Sequence, residues 1–373
     1  MDEEDKVDQV DMKRGTNQLL DEVVIRGVRL RNRIAVSPMC QYSAADGMAN
    51  DWHLVHLGSR AAGGAGLVIV EATAVTPTGR ITPGDLGLWS DDQIEPLARI
   101  ARFIESMGAV PGIQIAHAGR KASCRPPWEG GNAIRSATEG GWPVVSASAI
   151  PFHADGLVPQ SLSESEVHDV ISAFGEAARR SSQAGYNVIE LHAAHGYLID
   201  QFLSPLSNKR TDSYGGSLAN RMRFLLETVH AVRAVIPKET ALFTRISATD
   251  WVDGGWTIDD SVVLGTALRE AGVDLIDTSS GGVIPNVKIP AGLNYQVGLA
   301  SEIRSRAGIM TGAVGVIVEP GQANEIISSG AADIVLIGRE MLREPYWPLK
   351  AQTALGQEPA WPRQYGYAVR RKK

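Results

Sequence analysis

The chain has 373 residues, of which 44% are hydrophobic and 21% charged, proportions typical of a globular protein and unlike those of a disordered or fibrous chain. It carries 36 Lys and Arg against 42 Asp and Glu, a formal net charge of -6, so no nucleic-acid or anionic-membrane partner is expected. Its two cysteines, Cys40 and Cys124, are too few for a disulfide framework or a four-cysteine metal site. A small-molecule partner and a reducing, cytoplasmic setting are expected.

Residues 1–18 are predicted to form a solvated acidic tail. The chain begins Met-Asp-Glu-Glu-Asp-Lys, acidic where a signal peptide would be basic and then apolar. The apolar stretches are far shorter than the roughly 20 residues that span a bilayer; the run from Gly66 to Val70 stops at Glu71. Neither a secretory signal nor a membrane span is expected.

Beyond the tail, short β-branched apolar runs alternate with longer stretches of helical period, the pattern of successive βα units. Eight strands are predicted, at Ile34–Ser37, Leu67–Glu71, Gly112–His117, Asn187–His192, Leu242–Ser247, Val273–Ser279, Ile309–Gly312 and Asp333–Gly338. Capping boxes begin two intervening helices, and glycines end the helical patterns before four of the strands. These residues are Ser90 with Gln93, Ser163 with Glu166, and Gly108, Gly185, Gly272 and Gly330.

Eight βα units favour an α/β fold consisting of a single (β/α)8 TIM barrel over 19–358. A doubly wound sheet would show fewer units and a glycine fingerprint after its first strand, whereas the first strand here runs into Ser37-Pro38-Met39-Cys40. Residues 359–373 form a predicted C-terminal extension whose aromatic run from Trp361 to Tyr367 is expected to contact another subunit. A homo-oligomer, dimer or tetramer, is therefore expected.

The connection after the third strand, about 122–162, is unusually long. It contains Trp128, Trp142 and many Gly and Pro residues. Connections of this size without regular structure are typically lids or binding loops, so this loop is expected to shape substrate preference.

Chemically capable residues fall at the carboxyl ends of the predicted strands, where active sites of such barrels assemble. In chain order they are Cys40 and Tyr42, Glu71 and Ala72, Gln114 and His117 with Arg120 and Lys121 behind them, His192, His195 and Tyr197, Arg245, Ser279, Gly312, and Gly338 with Arg339.

The glycine turns at the last two strands, at Gly312 and at Gly338-Arg339, lie where barrels of this type bind phosphate. Glycine lets backbone N–H groups approach a phosphate, and an arginine can bind two of its oxygens. Each turn alone is better explained as an ordinary glycine turn. Their joint position favours a phosphate site.

Two histidines three residues apart, His192 and His195, are open to three interpretations. They could share a metal ion, but they follow a strand and have no committed third ligand, so no metal is expected. They could be core histidines. The favoured interpretation is that both donate N–H groups to an oxygen that becomes negative during a reaction.

Tyr197 and Cys40 each have a functional and a structural interpretation. The Tyr197 phenol could donate a proton to a developing carbanion or simply pack. Cys40 could be a small buried residue or a thiol that tunes a redox centre. The surroundings of Cys40 lack the signatures of a cysteine hydrolase, and no predicted strand ends in the lysine that a Schiff-base aldolase needs.

Several motifs resemble those of the Old Yellow Enzyme family of flavin-dependent ene-reductases, specifically its bacterial branch of NADPH dehydrogenases and xenobiotic reductases. The resemblance extends from about Asn32 to Ala354. It is carried by Ser-Pro-Met-Cys-Gln-Tyr at 37–42, Ala-His-Ala-Gly-Arg-Lys at 116–121, Glu-Leu-His-Ala-Ala-His-Gly-Tyr-Leu at 190–198 and Phe-Leu-Ser-Pro-Leu-Ser-Asn-Lys-Arg-Thr-Asp-Ser-Tyr-Gly-Gly-Ser at 202–217.

The resemblance implies a TIM barrel with FMN bound tightly but non-covalently above the strand ends, and NADPH as hydride donor. Arg245 would lie at the N1–C2 edge of the ring system, where a cation stabilises negative charge, and Cys40 would lie near N5. By motif match the cofactor-binding residues would be Ser37, Pro38, Met39, Cys40, Ala72, Gln114, Arg245, Gly312, Gly338 and Arg339.

The resemblance also implies ping-pong hydride transfer through FMN to the β-carbon of an activated alkene, an α,β-unsaturated carbonyl or nitro compound. His192 and His195 would bind the substrate oxygen, and Tyr197 would protonate the α-carbon. Tyr42 would contact substrate, and Lys121 would line the pocket mouth. The alternatives are a flavin-binding barrel with a sensing role and the larger iron–sulfur relatives, whose cluster needs more cysteines.

The chain departs from this branch near its C-terminus. Relatives carry an arginine two residues after a Gln-Tyr pair, which reaches the neighbouring subunit's site. Here Gln364-Tyr365 is followed by Gly366-Tyr367, and Arg370 comes too late. Either Tyr367 fills that place or the contact between subunits differs.

Overall fold

The computed structural model describes residues 18–134 and 136–369. The predicted acidic tail, apart from Gln18, lies outside the described residues, as does Arg370. Gln18–Leu20 already form a 3-10 helix, and Leu19 is fully buried.

The strands of the described chain fall into a large barrel and two small pairs. They are β1 (Val23–Ile25), β2 (Val28–Leu30), β3 (Ile34–Val36), β4 (Leu67–Ala74), β5 (Val110–Ala116), β6 (Val145–Ser146), β7 (Gln160–Ser161), β8 (Val188–Ala193), β9 (Ala241–Ser247), β10 (Leu275–Ser279), β11 (Met310–Ala313) and β12 (Ile334–Ile337). A closed barrel forms in the circular order β3-β4-β5-β8-β9-β10-β11-β12, all parallel. The predicted TIM barrel is confirmed, with strand ends within three residues of those expected.

Helices surround the barrel, and their apolar faces pack on its outer surface. They are α1 (Asp51–Ala62), α2 (Ile94–Ser106), α3 (Glu164–Gln183), α4 (Leu198–Leu203), α5 (Leu218–Val235), α6 (Ile258–Ala271), α7 (Val297–Ala307), α8 (Pro320–Ser328), α9 (Arg339–Arg343) and α10 (Trp347–Ala354). The capping box predicted at Ser163 is present: its hydroxyl accepts from the Glu166 N–H, and the Glu166 carboxylate accepts from the Ser163 N–H. No helix of the described chain is both long and apolar enough to cross a membrane.

An antiparallel hairpin, β1 with β2, closes the amino-terminal end of the barrel. Each strand buries alternate residues, the period-2 pattern of a half-buried strand. Those residues pack on apolar side chains at the start of the barrel strands, among them Leu67, Phe243 and Leu275. The sequence did not predict this hairpin.

The long connection, 122–162, is more ordered than expected. It contains the short helices Pro127–Glu129 and Ala137–Glu139, and β6 pairs with β7. Its Trp142 indole N–H donates to the Thr78 carbonyl at 2.9 Å. The Arg80 guanidinium lies 5.1 Å from the Trp142 ring centre and 5.4 Å from that of Trp89, distances of cation–π contacts. Trp142 therefore fastens the loop to the rim of the barrel.

Candidate active site

A cavity of about 480 Å³ opens at the carboxyl ends of the barrel strands. It gathers side chains from positions more than 200 residues apart in the chain. The predicted residues that line it are Ser37, Pro38, Met39, Cys40, Ala72, Gln114, His192, His195, Tyr197, Arg245, Ser279, Gly338 and Arg339. We call this the ring cavity.

A second cavity, of about 500 Å³, adjoins the ring cavity beneath the long connection. The two cavities share Tyr197 as a lining residue. The predicted substrate-contacting residues Tyr42 and Lys121 line this second cavity, as do Cys124 and Phe152. We call it the outer cavity.

Of the predicted cofactor-binding residues, Gly312 is absent from the lining of the ring cavity. It lies within β11, where a Cβ atom would approach Leu336 Cδ1 to 2.4 Å. Gly312 is therefore required for packing inside the barrel. The next glycine, Gly315, does line the cavity, with a φ of +124° and a virtual Cβ 2.9 Å from Tyr295 Cε1.

Two arginines stand at the Gly315 end of the ring cavity. Arg339 and Arg343 both line it, one turn apart on α9, and Arg343 forms an ion pair with Glu340. The i, i+4 spacing of the arginines on a helix could have revealed Arg343 in the sequence. This end of the cavity is cationic and rich in glycine backbone.

Three rings pack edge to face where β8 ends, those of His192, His195 and Tyr197. The His192 ring centre lies 5.1 Å from that of His195 and 4.9 Å from that of Tyr197, both nearly perpendicular. The main-chain N–H of Ala194 donates to His192 Nδ1 at 3.2 Å. Nδ1 is therefore unprotonated, and the neutral ring carries its proton on Nε2.

The second histidine is held by hydroxyl groups. His195 Nε2 lies 2.6 Å from Ser279 Oγ, and its main-chain N–H donates to Ser247 Oγ at 2.9 Å. His195 has a φ of +60°, a left-handed conformation that is uncommon for a residue other than glycine. This turn directs the chain from β8 back across the barrel mouth.

Burial sets the protonation of these rings. It lowers the pKa of His192 and of His195 well below the ordinary value, and the charge of Arg245 adds to this effect. Burial likewise raises the pKa of Tyr197, with a further contribution from Cys40. At neutral pH the cavity therefore presents two neutral imidazoles and a protonated phenol.

The thiol of Cys40 lies in an environment that disfavours its ionised form. Burial raises the pKa of Cys40, and the nearby carboxyl groups of Asp85 and Glu71 raise it further. A protonated thiol of this kind is a poor nucleophile.

The floor of the ring cavity is polar and fully enclosed. Gln114 Nε2 donates to Glu190 Oε1 at 2.8 Å across the β5–β8 pair. Arg245 Nη1 donates to Ser37 Oγ at 3.3 Å, and Arg245 Nε lies 3.1 Å from Asp277 Oδ2. The predicted residues Gln114 and Arg245 thus rest on two buried carboxyl groups that sequence reasoning missed.

Comparison with known proteins places the chain in a family. Residues 19–358 match the model of the NADH:flavin oxidoreductase / NADH oxidase family. The chain is 46% identical over 349 residues to an NADPH dehydrogenase of Geobacillus thermodenitrificans, covering 93% of this chain and 97% of that protein. The chain belongs to this family, the Old Yellow Enzyme family.

Solved structures agree with this membership. The Old Yellow Enzyme homologue from Zymomonas mobilis superposes with a TM-score of 0.76 at 25% identity, over 92% of this chain and 94% of that one. A 2-naphthoyl-CoA reductase gives 0.81 at 25% identity over 91% of this chain but 52% of that one, so the chain spans about half its length. The resemblance to the Old Yellow Enzyme family is confirmed, and the chain is an oxidoreductase and a flavoprotein.

Proposed function

We propose that this Old Yellow Enzyme family member is an FMN-dependent NADPH oxidoreductase that reduces the C=C bond of α,β-unsaturated carbonyl or nitro compounds. The observation that carries the proposal is the cluster of His192, His195 and Tyr197 in the ring cavity, of which Tyr197 also lines the outer cavity. Two neutral N–H donors beside a protonated phenol suit a substrate oxygen that gains negative charge while a neighbouring carbon gains a proton. The NADPH dehydrogenases among its relatives support the choice of hydride donor.

The ring cavity fits FMN in its chemistry. Its floor offers the Gln114 amide and the Arg245 guanidinium, both of which line the cavity. Its far end offers two arginines and the glycine turns at Gly315 and Gly338, which suit a phosphate. Gln114, Arg245, Ser37 and Arg339 are therefore proposed to hold the cofactor. Bound FMN supplies hydride transfer, from NADPH and then to the alkene.

The residues of the chain bind and polarise the alkene. His192 donates from Nε2, since its Nδ1 accepts the Ala194 N–H. A Ser279 hydroxyl that donates to His195 Nε2 leaves the proton of His195 on Nδ1. Both donors stabilise the oxygen as charge develops on it. Tyr197, kept protonated by its burial, delivers its proton to the α-carbon.

Colour and turnover test the proposal together. The purified protein should be yellow, should lose its visible absorbance with NADPH under anaerobic conditions, and should regain it when cyclohexenone or maleimide is added. A colourless protein that takes up no FMN would refute the proposal. A protein that takes up FMN but oxidises no NADPH with any enone would favour a sensing barrel instead.

We also propose that the C-terminal segment contacts a second copy of the chain. Tyr346 stacks on Trp361 at 5.9 Å between ring centres, whereas Tyr367 is 93% exposed. An exposed tyrosine in the same short segment as stacked aromatic rings is typical of a subunit contact. Sedimentation of the full chain against Tyr367→Ser should show a larger assembly for the unmodified protein, and a monomer in both cases would overturn this assignment.

A further inference from the structure

The floor of the ring cavity contains a buried charge cluster of Gln114, Glu190, Arg245 and Asp277. Glu190 and Asp277 are both 0% exposed, and Arg245 is 7% exposed. Burying two carboxyl groups with one guanidinium inside a barrel is costly unless their charges compensate. Such a cluster requires a reason beyond stability.

Strand register places these four groups side by side. Gln114 is opposite Glu190 in the β5–β8 pair, and Asp277 is opposite Arg245 in the β9–β10 pair. Gln114 and Arg245 line the ring cavity, whereas neither carboxyl residue does. Glu190 and Asp277 therefore lie beneath the two groups that face the proposed cofactor, and would act on it by their charge without contacting it.

The carboxyl oxygens are only partly satisfied. Glu190 Oε1 accepts from Gln114, but Glu190 Oε2 has no hydrogen-bond partner, and neither do the two carboxyl oxygens of Asp277. Asp277 Oδ2 still lies 3.1 Å from Arg245 Nε, close enough for a strong charge interaction. The charged and titratable groups that act on Glu190 are Asp277 on β10 and Arg245 on β9.

We propose that Asp277 and Glu190 are positioning residues that set the redox potential of bound FMN through the net charge that surrounds Arg245. This rests on the proposed FMN binding. With one carboxyl protonated the cluster is neutral, and with both ionised it carries one net negative charge. Hydride addition brings two electrons and one proton to the ring, so the ring gains one negative charge, which a less negative floor favours.

The two carboxyl groups of the cluster have different roles. Asp277, beside Arg245, offsets the guanidinium charge. Burial raises the pKa of both carboxyl groups, but the ion pair with Arg245 favours the ionised form of Asp277. Glu190 is therefore the group that holds the proton at neutral pH, since burial and the neighbouring Asp277 raise its pKa to about 8. Negative charge added to the flavin ring above Glu190 raises the affinity of Glu190 for a proton. Reduction of FMN is therefore coupled to proton uptake near pH 8.

The test is the midpoint potential of FMN in the purified holoenzyme, titrated anaerobically with reference dyes from pH 6 to 9. Asp277→Asn leaves Arg245 without its counter-charge. At pH 6, where burial keeps Glu190 protonated in the variant as well, we expect reduced FMN to bind at least about tenfold more tightly relative to oxidised FMN, which raises the midpoint potential by about 30 mV for a two-electron couple. Asp333→Asn, which breaks an arginine–aspartate pair just before β12, is the matched control and should leave the potential unchanged.

Glu190→Gln keeps the shape of the side chain and an oxygen that can accept from Gln114. This variant provides the test if Asp277→Asn fails to fold. Its potential should match that of the unmodified protein at pH 6. Above about pH 8 it should be higher, because the unmodified Glu190 ionises there and the glutamine does not. Potentials that coincide at every pH in all variants would overturn the inference. Failure to bind FMN would instead refute the proposed function.

Discussion

The ammonium group of Lys121 donates to the main-chain carbonyl of His195 at 2.7 Å and to that of Gly282 at 3.2 Å. It thereby joins the turn after β8 to the loop after β10. These two backbones touch, since a Cβ atom on Gly196 would lie 2.1 Å from the Gly282 oxygen. Lys121 is itself enclosed, and burial lowers its pKa to about 8. A half-buried cation thus holds the left-handed turn that presents the His195 ring.

Lys121→Met should loosen this turn without reaching the ring cavity, which Lys121 does not line. We expect the KM for an enone and the Kd for a phenol to rise about tenfold, the cost of one hydrogen bond to a charged group. FMN affinity should change by less than about twofold. Lys209→Met is the control, because its ammonium donates to the Pro205 carbonyl at an exposed position. Unchanged phenol affinity in Lys121→Met would contradict this role.

Replacing His192 and His195 together with Ala should abolish phenol binding while FMN stays bound. Phenols present an oxygen resembling that of an enolate, and each lost donor to a charged oxygen costs about 1.5–3 kcal/mol. The combined loss should exceed about 100-fold. A phenol titration followed by flavin absorbance measures it, with the exposed His230→Ala as control. A double variant that still binds phenol with the original affinity would show that the oxygen binds elsewhere.

The barrel could be predicted because its strands are apolar on both faces and are separated by helices with recognisable caps. Most of the residues that line the ring cavity could also be predicted, because residues after successive parallel strands meet at one end of the barrel. The hairpin β1–β2 could not be predicted: three-residue strands are too short to display a period. Tyr295 and Gln296 were missed because they lie in the loop between β10 and α7, where no spacing rule identifies them.

The buried carboxyl groups illustrate a different limit. Glu190 and Asp277 lie inside strands whose other residues are buried too, so the sequence places two acids in a core. Their partners, Gln114 and Arg245, are set by the register between strands, and this depends on closure of the whole barrel. The polar floor therefore emerges only from the three-dimensional structure.

Gly315→Ala should weaken FMN binding through the backbone. With a φ of +124° and Tyr295 Cε1 2.9 Å from the new methyl group, the substitution costs about 1–3 kcal/mol of strain. The turn relieves this strain by moving away from its place in the ring cavity wall. We expect FMN affinity to fall about tenfold in equilibrium dialysis. Gly321→Ala, on α8 with open space around it, should retain full affinity; an equal fall in both would contradict the assignment.

Glu71 should make the stability of the protein decrease as the pH rises. Its carboxyl accepts from the Gln41 N–H at 2.8 Å, and burial raises its pKa from 4.5 to about 8. The buried imidazole of His53, 3.5 Å from the carboxyl, has its own pKa lowered to about 4, so above that pH it is neutral and gives the Glu71 carboxylate no counter-charge. Between pH 4.5 and 8 the unfolded chain therefore binds fewer protons than the folded one at this site. This group lowers the unfolding free energy by up to about 1.4 kcal/mol per pH unit in that window.

Glu71→Gln should remove this slope, since the amide keeps an oxygen for the Gln41 N–H and does not ionise. The difference between variant and unmodified protein should be small near pH 4.5 and should grow in favour of the variant up to about pH 8. Urea unfolding at pH 5, 6.5 and 8 measures it, with the exposed Glu139→Gln as control. A stability difference that is constant across these pH values would show that Glu71 ionises normally in the folded protein.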